Sequence, residues 1–564
     1  MGPGARLDEA TSKGYPIGSF GRGFPGQTGS VEDLTTMASV TTLQSQNKAQ
    51  SKAQNNAQDQ AEVKAPARVE RRDLFESMDK VRAELDKVRS NPDPDNVHDL
   101  RVAIRRCRSV ALVFEEVDPD AVWPEMRKTS KKLFRALAPL RDAHVMEDWV
   151  KKLVPASDPV RVQMHSSFET DEPELRSEVL RVAGKFDEKE WKRLQSQLRK
   201  RVRVLPVSGL AAECLAWERF EEIKQLHAQA LRTKKAKPWH ALRIGLKKLR
   251  YTVESLLPEH NAAWTENLKR LQDLLGDIHD LDVLAEKIKA EGGVDQAVRK
   301  AWKQIVQRER AKRVQTYRQL TLGKTSIWNK WRHALPHGER LEAASLARLR
   351  ATARAAQSSP RNAGRVARTS IRVFELLRRA KVLQPVFNDV NVQRNLRAAA
   401  LLHAVGRDQK HPRKAAQKFL LGLKVPPRWT REDWQLVAWA VRFHRGAEPT
   451  MNDGKFAQLS AVQQENIRVL AGVIRLGRVL HKSGVDSPTG FKIENSADAI
   501  TLLVPKLEDN LEIAARLAAG KHLLETVLGK PLVVRAAEKA NKVVALPQSA
   551  PGVLYAVAVA GASD

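Results

Sequence analysis

The sequence contains little that would stabilise a secreted or membrane-spanning protein. It has only two cysteines, Cys107 and Cys214, both within apolar helical patterns, which predicts a reduced protein without disulfide bonds. No uncharged run approaches the roughly 20 residues that a membrane-spanning helix needs. No apolar segment follows the opening MGPGARLDEA, so we expect no secretory signal. These absences favour a cytoplasmic protein that has no membrane partner.

Aromatic residues are also scarce, at 5% of the chain. Few of them lie among the basic residues, which argues against the stacking of single-stranded bases on aromatic side chains. A glycine-rich phosphate loop with acidic partners is missing from the sequence as well. We therefore expect no nucleotide-type catalytic domain and no cofactor.

Positive charge is what the chain has in excess. Lys and Arg number 97 against 66 Asp and Glu, which gives a formal net charge of +31. Such an excess destabilises a compact state through self-repulsion, so it normally accompanies an anionic partner. Nucleic acid, an acidic membrane surface and inorganic polyphosphate all qualify, and composition does not rank them.

The 564 residues exceed what one hydrophobic core usually organises, so we expect more than one domain. Helical periodicity dominates most of the chain, while ITLLVPKL at 500–507 and PLVVR at 531–535 are predicted strands. The fold class that we predict is therefore all-α, ending in a few short strands. The predicted boundaries are 1–68 for a disordered low-complexity tail, 69–335 for a first helical domain, 345–540 for a second helical domain and 541–564 for a C-terminal tail.

An internal repeat is the most informative feature of the first helical region. VHDLRVAIRRCRS begins at Val97 and WHALRIGLKKLRY at Trp239, with an offset of 142 residues from His98 to His240. At about 100° per residue, positions i, i+3, i+7 and i+10 share an arc of about 80°, separate from the apolar stripe. Either Asp93 or Asp95 is expected to cap the first helix. The candidate binding residues are His98, Arg101, Arg105, Arg106 and Arg108 in the first copy and His240, Arg243, Lys247, Lys248 and Arg250 in the second.

A single basic stripe is most often an ordinary solvated helix face, and like charges at i and i+4 repel by a few tenths of a kcal/mol. The same pattern on the same face in two copies favours a binding function instead. A second pair of segments, SKKLFRALAPLRDAHVM and ENLKRLQDLLGDIHDLDVL, follows the two copies, and each predicts a helix that ends in an acidic turn. We expect two pseudo-symmetric halves whose basic helices face one another across a channel or groove. The weaker candidates for binding in these segments are Lys131, Lys132, Lys269 and Arg270.

These motifs resemble the conserved-histidine α-helical domain, or CHAD, family. Its pattern is roughly V-H-x-L-R-x-x-x-R-R-x-R followed by L-G-x-x-R-D, and His98 and His240 stand at its eponymous positions. Arg141–Asp142 matches the second element, whereas His279–Asp280 departs from it by a histidine in place of arginine. The resemblance covers about residues 69–335. It implies two helical bundles and a basic channel that binds inorganic polyphosphate through the candidate residues named above.

The second helical region resembles the C-terminal, HD-type domain of the exopolyphosphatase/guanosine pentaphosphate phosphohydrolase family. LRAAALLHAVG, REDWQLVAWAVRFHRGAEP and LAGVIRLGRVLHKS carry the likeness. A working HD site needs a His-Asp pair with flanking His and Asp ligands. Here the pair reads His403–Ala404, and by position Asn362 and His481 replace the flanking ligands. We therefore predict no metal site and no enzyme, with His403, His411 and His444 structural or phosphate-facing.

The function that we predict is non-catalytic binding of inorganic polyphosphate, in association with polyphosphate granules. Other polyanions are further candidate partners. The alternatives are a metal-dependent polyphosphatase or nucleotide phosphohydrolase with an unusual metal site, and a nucleic-acid-binding protein that uses the same basic stripes. Oligomeric state, preferred polyphosphate length and cellular role leave no trace in the sequence.

Overall fold

Helices make up most of the fold. A computed structural model of the chain describes residues 72–203, 209–292, 294–356, 360–450, 454–485, 487–508 and 510–537. Within these ranges there are nineteen α-helices and one three-stranded sheet, which confirms the predicted all-α class ending in a few short strands. The predicted tails, 1–68 and 541–564, lie outside the described residues.

Eleven helices precede residue 335, and they contain both copies of the histidine motif. Their bounds are α1 Arg72–Ser90, α2 Pro94–Glu115, α3 Val122–Thr129, α4 Lys131–Leu153, α5 Pro159–Gly184, α6 Glu188–Val202, α7 Leu210–Leu231, α8 Ala236–Leu256, α9 Pro258–Ala290, α10 Gln296–Thr321 and α11 Ile327–Ala334. The two motif copies are therefore α2 and α8.

The order of packing is the same around the two motif helices. α1 packs against α2 as α7 packs against α8, and α2 contacts α4 as α8 contacts α9. α4 then packs against α5 as α9 packs against α10. α2 and α8 also contact one another, so the repeat in the sequence is a repeat of packing as well.

Local chemistry explains where α2 begins and which of its faces is buried. Asp93 is the N-cap, and its carboxylate accepts a hydrogen bond of 2.8 Å from the backbone N–H of Asn96. Pro94 occupies the first turn, where a backbone N–H would have no helical partner. Of the two predicted caps, Asp93 is therefore the one that the structure uses, while Asp95 lies inside the helix. The buried stripe of α2 includes Leu100, Ala103, Ile104, Cys107 and Ala111, which form the apolar stripe of the first motif copy.

The two predicted acidic turns are wrong. α4 continues through Asp142 to Leu153, and α9 continues through Asp280 to Ala290. The segments that follow the two aspartates, AHVMEDWV and LDVLAEKI, keep apolar residues at helical spacing and contain no glycine or proline that would end a helix. Both aspartates are consequently mid-helix residues.

Eight further helices and the sheet follow. Their bounds are α12 Gly338–Ala356, α13 Pro360–Arg379, α14 Val390–Leu402, α15 Pro412–Gly422, α16 Arg431–Phe443, α17 Gly454–Ala457, α18 Ala461–Lys482, β1 Lys492–Asn495, β2 Ile500–Val504, α19 Leu511–Leu528 and β3 Leu532–Ala536. α18 is the central helix of this part, because it packs against α13, α16 and α19. The sequence explains its start, where Ser460 and Gln463 form a capping box.

The sheet has the order β1-β2-β3, with β2 antiparallel to β1 and parallel to β3. The strand predicted at 500–507 is present but ends at Val504, and the one predicted at 531–535 is present as Leu532–Ala536. β1 was not predicted, because KIEN is only four residues long and mostly exposed, and so shows no apolar alternation.

The two helical parts are joined through α7 and α12, which pack along each other. The carboxylate of Glu218 on α7 is almost fully buried and accepts a hydrogen bond from the Arg348 guanidinium on α12. Nearer the start of both helices, Arg340 bonds Glu213 at 2.9 Å. All described elements belong to one packed unit, Val69–Asp564.

Both cysteines are free and buried. Every helix within the described ranges is too short or too polar to cross a lipid bilayer.

Candidate anion-binding site

The basic faces of α2 and α8 meet where the two helices pack together. Four side chains influence one another electrostatically across this contact, two from each copy of the motif: Arg101, Arg105, Arg243 and Lys247. We call these four residues the basic cluster. They occupy the i+3 and i+7 positions of the motif in both copies, so the structure brings together equivalent residues of the repeat.

The surroundings of the basic cluster disfavour the protonated, charged forms of its side chains. Burial, followed by the charges of Arg243 and Arg105, lowers the pKa of Lys247 from its ordinary 10.5 to about 7. Burial also lowers the pKa of Arg243 and of Arg101, and neighbouring arginines add to both effects. Cations that are brought together and partly desolvated in this way would be stabilised by an anion.

The cluster has few internal partners of opposite charge. The Nε atom of Arg243 is buried and makes no hydrogen bond with any described residue. Within the described part of the chain, neither Arg105 nor Lys247 has a carboxylate within ion-pair distance. Arg101 is better satisfied, because its Nη1 donates to the carbonyl of Phe134 at 3.2 Å and its guanidinium lies 4.8 Å from that ring. Several N–H groups therefore remain free to bind a ligand.

Two aspartates border the basic cluster, one from each half. Asp142 on α4 has an Oδ1 atom 3.9 Å from Nη2 of Arg101. Asp280 on α9 is the matching residue, and its charge favours the protonated forms of Arg243 and Lys247. Burial raises the pKa of Asp280, and Arg243 opposes that shift. Two carboxylates beside four cations leave the site with a net positive charge.

The two eponymous histidines lie at one end of the stripes and differ in their surroundings. His98 is exposed, and partial desolvation together with Arg141 and Arg105 lowers its pKa. Nδ1 of His240 lies 3.2 Å from Nδ1 of His279, so one ring must donate and the other accept. Burial, Arg243 and His240 lower the pKa of His279 to about 4. Burial also lowers the pKa of His240, so the pair is neutral at pH 7.

Three of the predicted residues are occupied by intramolecular contacts. Arg108 donates to the backbone carbonyl of Arg127 and to Oγ of Ser130. Arg250 donates to Glu254 and to Gln272, each at 2.5 Å. Nζ of Lys248 lies 3.3 Å from a carboxylate oxygen of Glu222. Apart from the Arg250–Glu254 pair within α8, these bonds join different elements, and all of them would have to break before the same N–H groups could bind a ligand. The residues that keep such bonds are Arg108, Lys248 and Arg250.

The remaining predicted residues are solvent-exposed and lie outside the basic cluster. Arg106 is displaced by about 100° around α2 from Arg105, so it projects away from the α2–α8 contact. The basic pairs begin α4 and occupy the first half of α9, with no internal ion pair in the described chain. The exposed residues of this group are Arg106, Lys131, Lys132, Lys269 and Arg270.

Sequence reasoning missed two cations at the edge of the site. Arg141 on α4 influences both His98 and Arg101, and Lys287 on α9 influences Asp142. Lys287 follows Asp280 by seven residues, which is about two helical turns and therefore the same face. That signal was present in the sequence, but the predicted turn at Asp280 concealed it.

In the second helical part, the structure brings most positions of the HD-type pattern to one cavity. A cavity of about 270 Å³ is lined by the positions that the HD-type resemblance singled out, Asn362, His403, Ala404, His444 and His481. His411 does not line it. Among the described residues, no group of three or more His, Cys, Asp or Glu side chains is arranged to hold a metal ion.

Comparison with known families agrees with the geometry of the first helical part. Residues 72–289 match the family model of the CHAD domain. The match covers α1 to nearly the end of α9, and so includes both motif helices and the whole basic cluster. It is shorter than the predicted 69–335 and does not extend to the HD-like region, whose resemblance stays a prediction. No curated protein matches the chain.

Proposed function

We propose that the chain binds inorganic polyphosphate over the basic cluster, along the line where α2 and α8 meet, without hydrolysing it. We call this line the groove. The observation that carries the proposal is the basic cluster, in which equivalent cations of a repeated motif are desolvated together and outnumber the two aspartates beside them. The CHAD match over 72–289 supports the same ligand class. Association with polyphosphate granules is part of the proposal.

The chemistry of the cluster suits a long phosphate polymer. Arginine forms forked, charge-assisted bonds to phosphate oxygens, whereas lysine acts as a compact point charge. A polyphosphate chain presents such oxygens at every unit and no bases to recognise. Two matching pairs of cations from α2 and α8 would therefore contact successive units of one chain.

We propose binding without hydrolysis because of the residues that line the cavity of about 270 Å³ in the second helical part, which we call the C-terminal cavity. Ala404 stands where the HD pattern needs a metal-binding carboxylate, and the described lining contains no Asp or Glu. The test is incubation of the purified protein with long-chain polyphosphate and Mg²⁺ or Mn²⁺. Steady release of phosphate that disappears in His403→Ala would refute this part of the proposal.

The binding proposal is tested by titration with polyphosphate of defined length at several salt concentrations. The fourfold variant R101A/R105A/R243A/K247A should bind at least about 30-fold more weakly, because each charge-assisted hydrogen bond contributes about 1.5–3 kcal/mol and such losses are not additive. The salt dependence should also flatten, by up to about 3 in log–log slope if polyphosphate follows nucleic acids. Circular dichroism should show unchanged helicity.

A matched control removes four positive charges elsewhere. Lys185, Lys189, Lys192 and Lys200 are all exposed on or beside α6, so K185A/K189A/K192A/K200A removes the same number of basic side chains without touching the groove. Equal losses in the two variants would mean that only net charge matters, and would contradict a site. DNA that displaced polyphosphate at equal phosphate concentration and equal salt would favour a nucleic-acid-binding protein instead.

A further inference from the structure

The cavity in the C-terminal helical part lies between α13, α18 and the ends of α14 and α16. Besides the residues of the HD-type pattern, four cations line it: Arg407, Arg445, Arg478 and Lys482. The described lining contains no carboxylate. The cavity is small, at about 270 Å³, which is below the roughly 300–1,000 Å³ usual for sites that take drug-sized ligands.

The cations around this cavity act mainly on one another. Burial lowers the pKa of Arg478 to about 10, and the largest charge effects on it come from Arg445 and Arg407. Arg478 and Arg407 are also the first two charges that lower the pKa of Lys482. In the described chain, neither Arg407 nor Arg445 has a carboxylate within ion-pair distance. An anion in the cavity would relieve this repulsion.

Arg478 is held in place by the protein. Its Nη1 donates to the backbone carbonyl of His444 at 3.1 Å. One turn earlier on α18, Arg475 donates through Nε to the carbonyl of Phe443 at 2.8 Å. These bonds tie α18 to the end of α16 and fix one wall of the cavity. A ligand would therefore meet a preformed donor on that wall.

The buried histidines provide acceptors rather than further positive charge. Nδ1 of His403 lies 2.8 Å from the carbonyl of Ala400, and Nδ1 of His444 bonds the carbonyl of Val441. A carbonyl only accepts, so each Nδ1 carries the proton and each neutral ring keeps its lone pair on Nε2. Burial is the main cause that lowers the pKa of both rings, that of His403 to about 4, and Arg478 adds to the effect, so both rings are neutral at pH 7. The cavity therefore combines cationic donors with neutral nitrogen acceptors.

We propose that this cavity binds a single monoprotonated phosphate group, either free orthophosphate or the terminal group of a phosphate chain, independently of the groove between α2 and α8. The arginines donate to the unprotonated oxygens, and Nε2 of a histidine accepts the P–OH proton in a hydrogen bond. Sulfate has the same shape but no proton to donate at neutral pH, so it would leave that acceptor unsatisfied. The site should therefore prefer phosphate to sulfate.

The experiment is calorimetric titration of the full chain with orthophosphate at neutral pH. We expect one site in the wild-type protein and at least about tenfold weaker binding in R407Q/R445Q, which removes two charge-assisted donors whose side chains make no hydrogen bond or ion pair with the described residues. The control R431Q/K418Q also removes two exposed charges from this part of the chain, outside the cavity lining, and should bind as the wild type does. Unchanged melting temperature would show that R407Q/R445Q is folded.

Three further measurements identify the ligand of the cavity and test whether the cavity binds it independently of the groove. The fourfold groove variant should keep its affinity for orthophosphate even where it loses polyphosphate, so this proposal and the proposed function can fail separately. Sulfate should displace phosphate at least about tenfold less well. Displacement by the ends of long polyphosphate would assign the chain terminus as the source, and its absence would assign free orthophosphate.

The proposal is overturned if orthophosphate does not bind, if R407Q/R445Q binds as tightly as its control, or if sulfate competes as well as phosphate does.

Discussion

Proton uptake through Lys247 is a sensitive test of the basic cluster. The pKa of this lysine is about 7 in the free protein, because burial and the charges of Arg243 and Arg105 disfavour its protonated form. A polyphosphate chain in the groove would add negative charge beside the ammonium group and return the pKa towards 10.5. Binding should therefore be accompanied by protonation of Lys247.

The size of the effect follows from the two pKa values. At pH 7 about half of the free molecules have a neutral Lys247, so binding should take up about half a proton, and close to one near pH 9. The sign of the pH dependence follows as well. Affinity should be highest below pH 7, where no proton has to be acquired, and should fall by up to about tenfold per pH unit as pH rises above 7 towards the pKa of the complex.

The measurement is calorimetric titration in buffers of different ionisation enthalpy, with long chains so that terminal phosphates, which titrate near neutrality, contribute little. Lys247→Met should abolish most of the proton uptake. Lys248→Met is the matched control, because Lys248 is the next residue and is already paired with Glu222; it should leave the uptake unchanged. Affinity that stays constant from pH 7 to pH 9, or equal uptake in both variants, would refute the argument that a ligand restores charge at Lys247.

Two predictions concern the scaffold, and both are measured by urea denaturation. Glu218→Ala should lower the free energy of unfolding by about 3–5 kcal/mol, because Arg348 would remain buried without its carboxylate; a loss below 1 kcal/mol would mean that the pair is hydrated. Gly477→Ala should cost about 1–3 kcal/mol, since its Cβ would clash with the hydroxyl of Ser370 on α13 and press against the backbone of that residue. Gly276→Ala, with nothing within 4 Å of the new Cβ, should instead stabilise α9 by about 0.5–1 kcal/mol. Similar effects at the two glycines would show that helix propensity, and not close packing, determines the outcome.

The repeat made much of the first helical part predictable. The 142-residue offset of the repeat is enough to place His98 and His240 at equivalent positions. The helical period separates the basic stripe of α2 from its buried stripe. Helical periodicity also predicted the fold class, because these helices bury apolar faces whose spacing is visible in the sequence. The N-cap at Asp93 was one of two residues that the sequence allowed.

The sequence does not show which partner each side chain contacts. Arg108 and Arg105 are both basic residues on the same stripe, yet Arg108 bonds Ser130 while Arg105 faces the other motif helix. That difference depends on which helices pack around α2, and spacing within α2 contains no such information. Asp142 was assigned to a turn for a similar reason, since an Arg-Asp pair ends some helices and continues others. Only the packing of α4 against α2 decides its role beside Arg101.

The contact between α7 and α12 has a consequence for how the chain would respond to polymer length. Because this contact buries the Glu218–Arg348 pair, it holds the groove and the C-terminal cavity at a set separation. A polyphosphate too short to reach from one to the other would bind each independently. If the cavity takes the terminal group of polyphosphate, a polymer that spans the gap would find the second site at a high effective concentration. The affinity for polyphosphate would then rise once the polymer is long enough to reach both sites, and weakening the α7–α12 contact would reduce that rise without altering either site.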